Sequence, residues 1–400
     1  MTHPKMLIKW ATLGLLVVIL VACAPAQSPD LSMAGTYAAQ TLAAMPTVTD
    51  TPEPEEPTPT PTITLTPTPI VIVDPVGPRD FPEDVNPLTG LKVADPEILD
   101  RRPVLVKVAN HPAYGRPHAG LSLADMVFEY YIGYGGNRFM ALYYGQDAPK
   151  IGPVRSARLV DPQITSMYEG VLGFEGAYIT ILNQIYDILG NRAISGKDQC
   201  PAICDDGRGI VTSVFANSLE LTLLAEERGV PTERLLLEGM AFDPDAPENG
   251  ESGERVNIHY SSLNWGDWLF DEDSGLYLRW IDDGVARPVN MIPLVDSETD
   301  EQLAFSNVVV IFANYIEFAP SLHDIELWGN DTGGRAMVFR DGQAYEVTWV
   351  TPQNNQPIQF LDEDGEVFPL KNGNTWVSLF GINSRMSTED GEWTFNFALP

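Results

Sequence analysis

The chain has 400 residues and a formal net charge of −31, from 24 basic and 55 acidic side chains. That acid excess argues against binding nucleic acid or anionic lipid through long-range charge, since both carry the same sign. Hydrophobic residues make up 44%, enough for a substantial core, and the length allows one large domain or two ordinary ones.

The first nine residues, MTHPKMLIK, hold Lys5 and Lys9 and no acid, and an unbroken apolar run follows from Trp10 to Ala22. Charge followed by a short apolar stretch is the layout of a secretory signal peptide. A membrane span takes about 20 apolar residues, and this run is shorter. It ends in Leu20-Val21-Ala22-Cys23, which resembles a bacterial lipobox. Residues 1–22 are therefore expected to be removed, and Cys23 to carry lipid that holds the mature protein to a membrane outside the cytoplasm. Each buried acyl methylene contributes about 0.8 kcal/mol, so two or three chains on one cysteine anchor stably.

Residues 23–85 read as a Thr/Pro-rich disordered spacer. From Pro46 to Pro69, proline recurs through PTVTDTPEPEEPTPTPTITLTPTP. Each proline removes a backbone donor and fixes φ, which favours extended polyproline II at about 3.1 Å per residue. The spacing of apolar residues then predicts an α+β body, with a layered sheet-and-helix domain at 86–240 and a mostly antiparallel β domain at 256–380. PVLVKVAN (103–110), DMVFEYYI (125–132) and NRFMALYYG (137–145) read as strands. DPQITSMYEG reads as a short helix with Asp161 as N-cap and Pro162 first in the helix. YITILNQIYDILG (178–190) and SLELTLLAEERG (218–229) read as amphipathic helices, the second capped by Asn217. After about Val256, short aromatic runs alternate with turns such as DEDSG, RDGQ and KNGN, the pattern of hairpins. Residues 381–400 are expected to be a tail.

NPLTGLKV (86–93), RPVLVKVANHP (102–112), RPHAGLSLADMVFEY (116–130), NRFMALY (137–143) and IGPVRSARLVDPQ (151–163) occur in that order, followed by VNIHYSS, SGLYLRW, SNVVVIFANY, VFRDGQAYEVTWV and FLDEDGEVFPLKNGNTWVSL. This succession resembles the YerB-like lipoproteins, a family whose defining domain has no assigned function. The resemblance covers about 86–380. It implies layered sheets with helices and a lipid-anchored envelope protein, and it implies no chemistry.

The residues themselves single out Arg155, Ser156 and Arg158, two guanidiniums and a hydroxyl behind a Gly-Pro step. Planar guanidinium forks suit carboxylate or phosphate. This segment is either an anion cradle at the head of a helix or a pin that ties helix to sheet through Asp125, Glu129 or Asp161. Asn110, His111, Arg116 and His118 follow a strand end, where open α/β sheets bind ligands. Glu129 lies within an apolar strand and needs a partner, for which Arg138 is expected across the hairpin. Arg155, Ser156, Arg158, Asn110, Arg116, Glu129 and Arg138 are thus the candidate ligand-binding residues. Cys200 and Cys204 are expected to form a disulfide outside the cytoplasm.

No nucleophile elbow, zinc-helix, Walker or dinucleotide motif occurs, so no cofactor, metal or catalytic residue is assigned. Asp271 and Asp273, and Asp362 and Asp364, start like calcium loops but lack the later ligands. The leading reading is a non-enzymatic binding or scaffold module for an envelope protein or a cell-wall ligand. The alternative is a hydrolase or transferase acting on envelope glycans.

Overall fold

Strands dominate the described part of the chain, residues 74–285 and 288–400 of a computed structural model. The expected signal peptide, Cys23 and most of the spacer lie outside the described residues. PVLVKVAN forms β1 (Val104–Ala109), buried at every position because both faces of its sheet are covered. DMVFEYYI forms β2 (Met126–Gly133) and NRFMALYYG forms β3 (Gly136–Tyr143). Their hairpin turns at Gly133, with φ +105°, where a Cβ would come 2.1 Å from the Pro320 carbonyl oxygen. Two short strands carry no clear periodicity: β4 (Val171–Phe174) and β5 (Ala193–Ser195). Three helices intervene, α1 (Asp161–Met167), α2 (Ile179–Leu189) and α3 (Ser218–Glu227). Asn217 caps α3 by accepting from the Glu220 amide at 3.1 Å. In α1 the cap position is Val160, not Asp161; Asp161 turns back and accepts from the Arg158 amide at 2.7 Å.

The two halves of the chain share one sheet. Across it run Glu251–Ser252, Gln343–Thr351, Asn330–Arg340, Asn307–Ala319, Thr375–Gly381, β2, β3, β1, β4 and β5. β2 lies parallel to Thr375–Gly381, which lies parallel to Asn307–Ala319. β1, β4 and β5 run parallel at the other edge. The expected all-β second half is thus divided: part extends the sheet begun by the first half. The remainder forms a second sheet with the order Met291–Pro293, Leu276–Asp282, Asn264–Asp271, Arg255–Ser261, Glu392–Asn396 and Arg385–Glu389.

Side chains alternate across a strand, so the shared sheet has two apolar faces. One, with Leu105, Phe128, Met140 and Val309, packs on Ile164 of α1 and on Ile181 and Ile185 of α2. The other, with Val106, Phe139, Val310 and Trp376, packs on Ile258, Trp268 and Phe395 of the second sheet. The layers are therefore helices, sheet and sheet, and strand content outweighs the α+β balance expected from the sequence. Residues 381–400 are no loose tail: Trp393 and Phe395 alternate inward and close the second sheet. The body also begins before Asn86, because Val76 exchanges backbone hydrogen bonds with Phe242, both 2.8 Å.

Glu129 is 1% exposed and sits between the two sheets. Both its oxygens accept from Arg279 Nη2 at 3.1 Å, and Trp376 Nε1 donates to Oε2 at 2.8 Å. The guanidinium packs against two touching indoles, 4.9 Å from the Trp268 ring and 5.0 Å from the Trp376 ring. Breaking a buried pair strands a charge at a cost of about 3–5 kcal/mol, while replacing both partners is often near neutral. Arg279→Met should therefore destabilise by about 3–5 kcal/mol in chemical denaturation, and adding Glu129→Gln should recover much of the loss. A double variant as unstable as the single one would contradict this.

His118 is buried against Phe139, its ring Nε2 2.8 Å from the Ala109 carbonyl oxygen. Burial, with the nearby Arg116 charge, pushes its pKa down to about 3. The unfolded chain takes up that proton near the ordinary value of 6.5, so stability should fall as pH drops from about 6.5 towards 3. Asp125 opposes this: burial raises its carboxyl from 3.8 to about 6, so the folded state there holds a proton the unfolded chain has lost. The histidine contribution is isolated by His118→Gln, which keeps an N–H donor. Its acid limb in pH-dependent melting should be shallower than that of the wild type; identical limbs would refute the assignment.

Candidate functional site

The seven candidate residues fall on opposite faces of the shared sheet. In the β2–β3 hairpin Glu129 stands opposite Phe139, and Arg138 stands opposite Tyr130. Glu129 therefore faces the second sheet and Arg138 the helices. The expected Glu129–Arg138 pair does not form; Arg279 is the partner, and it comes from 150 residues away in the chain.

Asn110 and Arg116 join the Glu129 side. Arg116 Nε donates to Asn110 Oδ1 at 3.1 Å, and Asn110 Nδ2 donates to Asn137 Oδ1 at 2.7 Å. Asn137 Nδ2 donates in turn to Glu129 Oε1. At its outer end Arg116 donates to the Asp282 carbonyl and lies 3.6 Å from the Asp282 carboxylate. Every member has a partner within the fold, so this chain of polar groups ties the strand ends to the second sheet.

Arg155, Ser156, Arg158 and Arg138 gather on the helix side. The segment 153–157 wedges between the diverging ends of β1 and β4. Its Pro153 carbonyl accepts from the Ala109 amide and the Arg155 amide donates to the Lys107 carbonyl, at 2.8 and 2.9 Å. On its other edge Arg155 and Ala157 bond the backbone of Glu175 and Gly176 at 3.1 and 2.8 Å. The wedge brings two arginines to a third. Arg138 Nη1 donates to the Ser156 carbonyl. Arg158 Nη1 donates to the carbonyls of Ser156 and Ala157 at 3.3 and 3.0 Å. Arg155 Nη1 pairs with Glu175 at 2.8 Å. None of the three pairs with Asp125 or Glu129. Among the described residues, no carboxylate lies within 4.0 Å of the guanidinium nitrogens of Arg138 or Arg158. The buried Nε atoms of Arg138, Arg155 and Arg158 have no hydrogen-bond partner.

Beneath the arginines lies a buried triad. Lys107 Nζ donates to the Tyr130 hydroxyl, which donates to Asp161 Oδ1, and the lysine lies 3.2 Å from that oxygen. Burial lowers Lys107 to about 7, against the pull of Asp161. Burial, then the charges of Arg158 and Arg155, lowers Arg138 to about 9. The cluster thus holds more positive charge than its own acids balance. At the head of α1, Asp161 accepts from the Arg158 amide and places a carboxylate beside the cluster. Lys107 and Tyr130 escaped the sequence reading, although a lysine inside PVLVKVAN is as anomalous as Glu129 inside MVFEYY.

Cys200 and Cys204 face each other on the hairpin formed by Asp198–Gln199 and Ile203–Asp205, with Cα atoms 5.0 Å apart, close enough for the expected disulfide. Asp271 accepts from Ser274, and Asp362 from the Asp364 and Glu366 amides, the bonding of hairpin turns. Among the described residues no group of three His, Cys, Asp or Glu side chains could hold a metal ion.

Known proteins share this architecture. The chain matches the N-terminal domain of a protein family of unknown function, DUF3048, over residues 88–229, and the C-terminal domain of that family over 256–377. A protein of Bacillus subtilis (strain 168) described as "Putative lipoprotein YerB" is 27% identical over 317 residues, which are 76% of this chain and 89% of that protein. The crystal structure of YerB protein from Bacillus subtilis superimposes with a TM-score of 0.61 at 26% identity, covering 74% of this chain and 96% of that one. With both domains matched in order over most of the described residues, this chain belongs to the DUF3048 family.

Proposed function

We propose that this protein is a lipid-anchored, extracytoplasmic component of the bacterial envelope whose body binds an anionic ligand, a phosphate or a peptide carboxylate, at Arg138, Arg155 and Arg158. One observation carries the binding site. In a chain with 55 acids and 24 bases, Arg138 and Arg158 have no carboxylate within 4.0 Å among the described residues while their guanidiniums crowd together. Arg138 is also 7% exposed, and burying an unbalanced charge is costly. An arriving anion supplies the missing counter-charge in bidentate form. The anchor rests on Leu20-Val21-Ala22-Cys23 and on the name carried by the Bacillus subtilis relative.

The two possible roles of the arginines leave opposite marks on stability. If they pin the fold, Arg158→Gln destabilises. If they await an anion, removing one relieves repulsion, and Arg158→Gln melts at or above the wild-type temperature in anion-poor buffer. Function-bearing positions commonly show this trade. Inorganic phosphate or an acidic peptide should raise the wild-type melting temperature, with about 2.7 kcal/mol gained at a hundredfold excess over Kd. Arg155→Gln and Arg158→Gln should lose most of that gain. Destabilised variants, with a wild type indifferent to both probes against a chloride control, would remove the site.

The anchor is tested separately. In cells fed a fatty-acid probe, the wild type should take up label and fractionate with membranes. Cys23→Ala should do neither and should keep its N-terminal segment. An unlabelled wild type, or a mutant processed like it, would overturn the anchor.

A further inference from the structure

A trough of about 590 Å³ opens between α2 and the hairpin of Asn307–Ala319 with Leu322–Glu326. It is separate from the arginine cluster, and no Lys or Arg side chain lines it. It therefore supplies no cationic partner for a phosphate or a carboxylate, and Asp324 and Glu326 add negative charge.

Its lining is specific in another way. Trp328 and Trp349 form its aromatic wall, and both indole N–H groups are already spent, on the carbonyls of Gln163 and Phe312 at 3.2 and 3.1 Å. The rings are thus fixed in place. Trp349 is nearly fully buried, so the half-buried Trp328 is the ring that a ligand would meet. Acceptors predominate among the polar groups, although Asn314 and Asn330 each keep a second N–H. Asn314 donates to Glu326 Oε2 at 2.7 Å, and Asn330 donates to the Trp349 carbonyl at 3.0 Å; each keeps a carbonyl oxygen for an incoming donor. Asp324 receives Gln163 Nε2 and the Ile325 amide on Oδ1, both at 2.9 Å, and keeps Oδ2. Gln184 adds an uncommitted amide from α2. A ligand here must bring several donors and an apolar face.

An ammonium-rich ligand would bring donors too, but Arg335 stacks on the Phe312 ring at 3.9 Å, and Phe312 lines the trough. That fixed cation disfavours a second one. Its volume of about 590 Å³ leaves room for more than one sugar-sized ring. Aromatic rings packing against C–H faces, with oxygens accepting from hydroxyls, is the chemistry of sugar recognition.

We propose that this groove binds a neutral, hydroxyl-rich oligosaccharide, with its apolar ring face on Trp328 and its hydroxyls donating to Asn314, Asp324 and Asn330. The test is calorimetric titration of the full chain in detergent with cellotetraose, chitotetraose and, as a cationic control, tetralysine. One or both tetrasaccharides should bind saturably. Trp328→Ala should weaken that binding by about tenfold, or about 1.4 kcal/mol. Gln184→Ala, which removes no internal hydrogen bond, should weaken it severalfold without moving the melting temperature. Failure of both sugars to bind, unchanged affinity in both variants, or binding of tetralysine in place of the sugars would each overturn the proposal.

Discussion

The structure turns on one carboxylate. Glu129 comes from the first third of the chain, Arg279 from the second sheet, and Trp376 from a strand near the end. Leaving an ionised side chain in the gap between two sheets is tolerable only when all of them are in place, because an unpaired buried charge costs far more than any one contact returns. The interaction therefore acts as a condition on the fold more than as a source of stability. It also pins register. A one-residue slip of β2 would turn Glu129 towards the helices, away from Arg279 and into the apolar set of Phe128 and Met140.

The two faces of the shared sheet treat charge differently, although the same strands supply both. On the face against the second sheet, Arg116, Asn110, Asn137, Glu129 and Arg279 form a succession from the rim to the core in which the guanidiniums meet carboxylates. On the helix face, Asp161 is committed to Tyr130, Lys107 and the Arg158 amide. Above it Arg138 and Arg158 make do with backbone carbonyls, while Arg155 pairs with Glu175. Closed networks specify structure, and open ones mark places where something else must enter.

The local elements were largely legible. β1, β2, β3, α2 and α3 follow from apolar spacing and their capping residues, since each depends on neighbours within one turn or one hairpin. The arginine pair was visible in IGPVRSAR, but Arg138 reaches it only through strand register. The partner of Glu129 was illegible for a plainer reason: 150 residues separate it from Arg279, and no local pattern announces such a distance. The division of the second half between two sheets was hidden in the same way, because hairpins destined for either sheet look alike. Trp393 and Phe395 do alternate, but a lone terminal strand has no partner of its own in the sequence to pair with.

The parallel neighbour of β2 is Thr375–Gly381, and this orders events in time. A chain that emerges N-terminus first, from a ribosome or through a membrane pore, presents β1, β2 and β3 long before that neighbour exists. Until Thr375–Gly381 arrives, the hairpin keeps an open edge, Glu129 has no Trp376, and the shared sheet lacks its middle. Pairings this distant in sequence are slow to close. For the exported protein proposed above, that delay would keep the chain unfinished, and hence pliable, while it crosses the membrane.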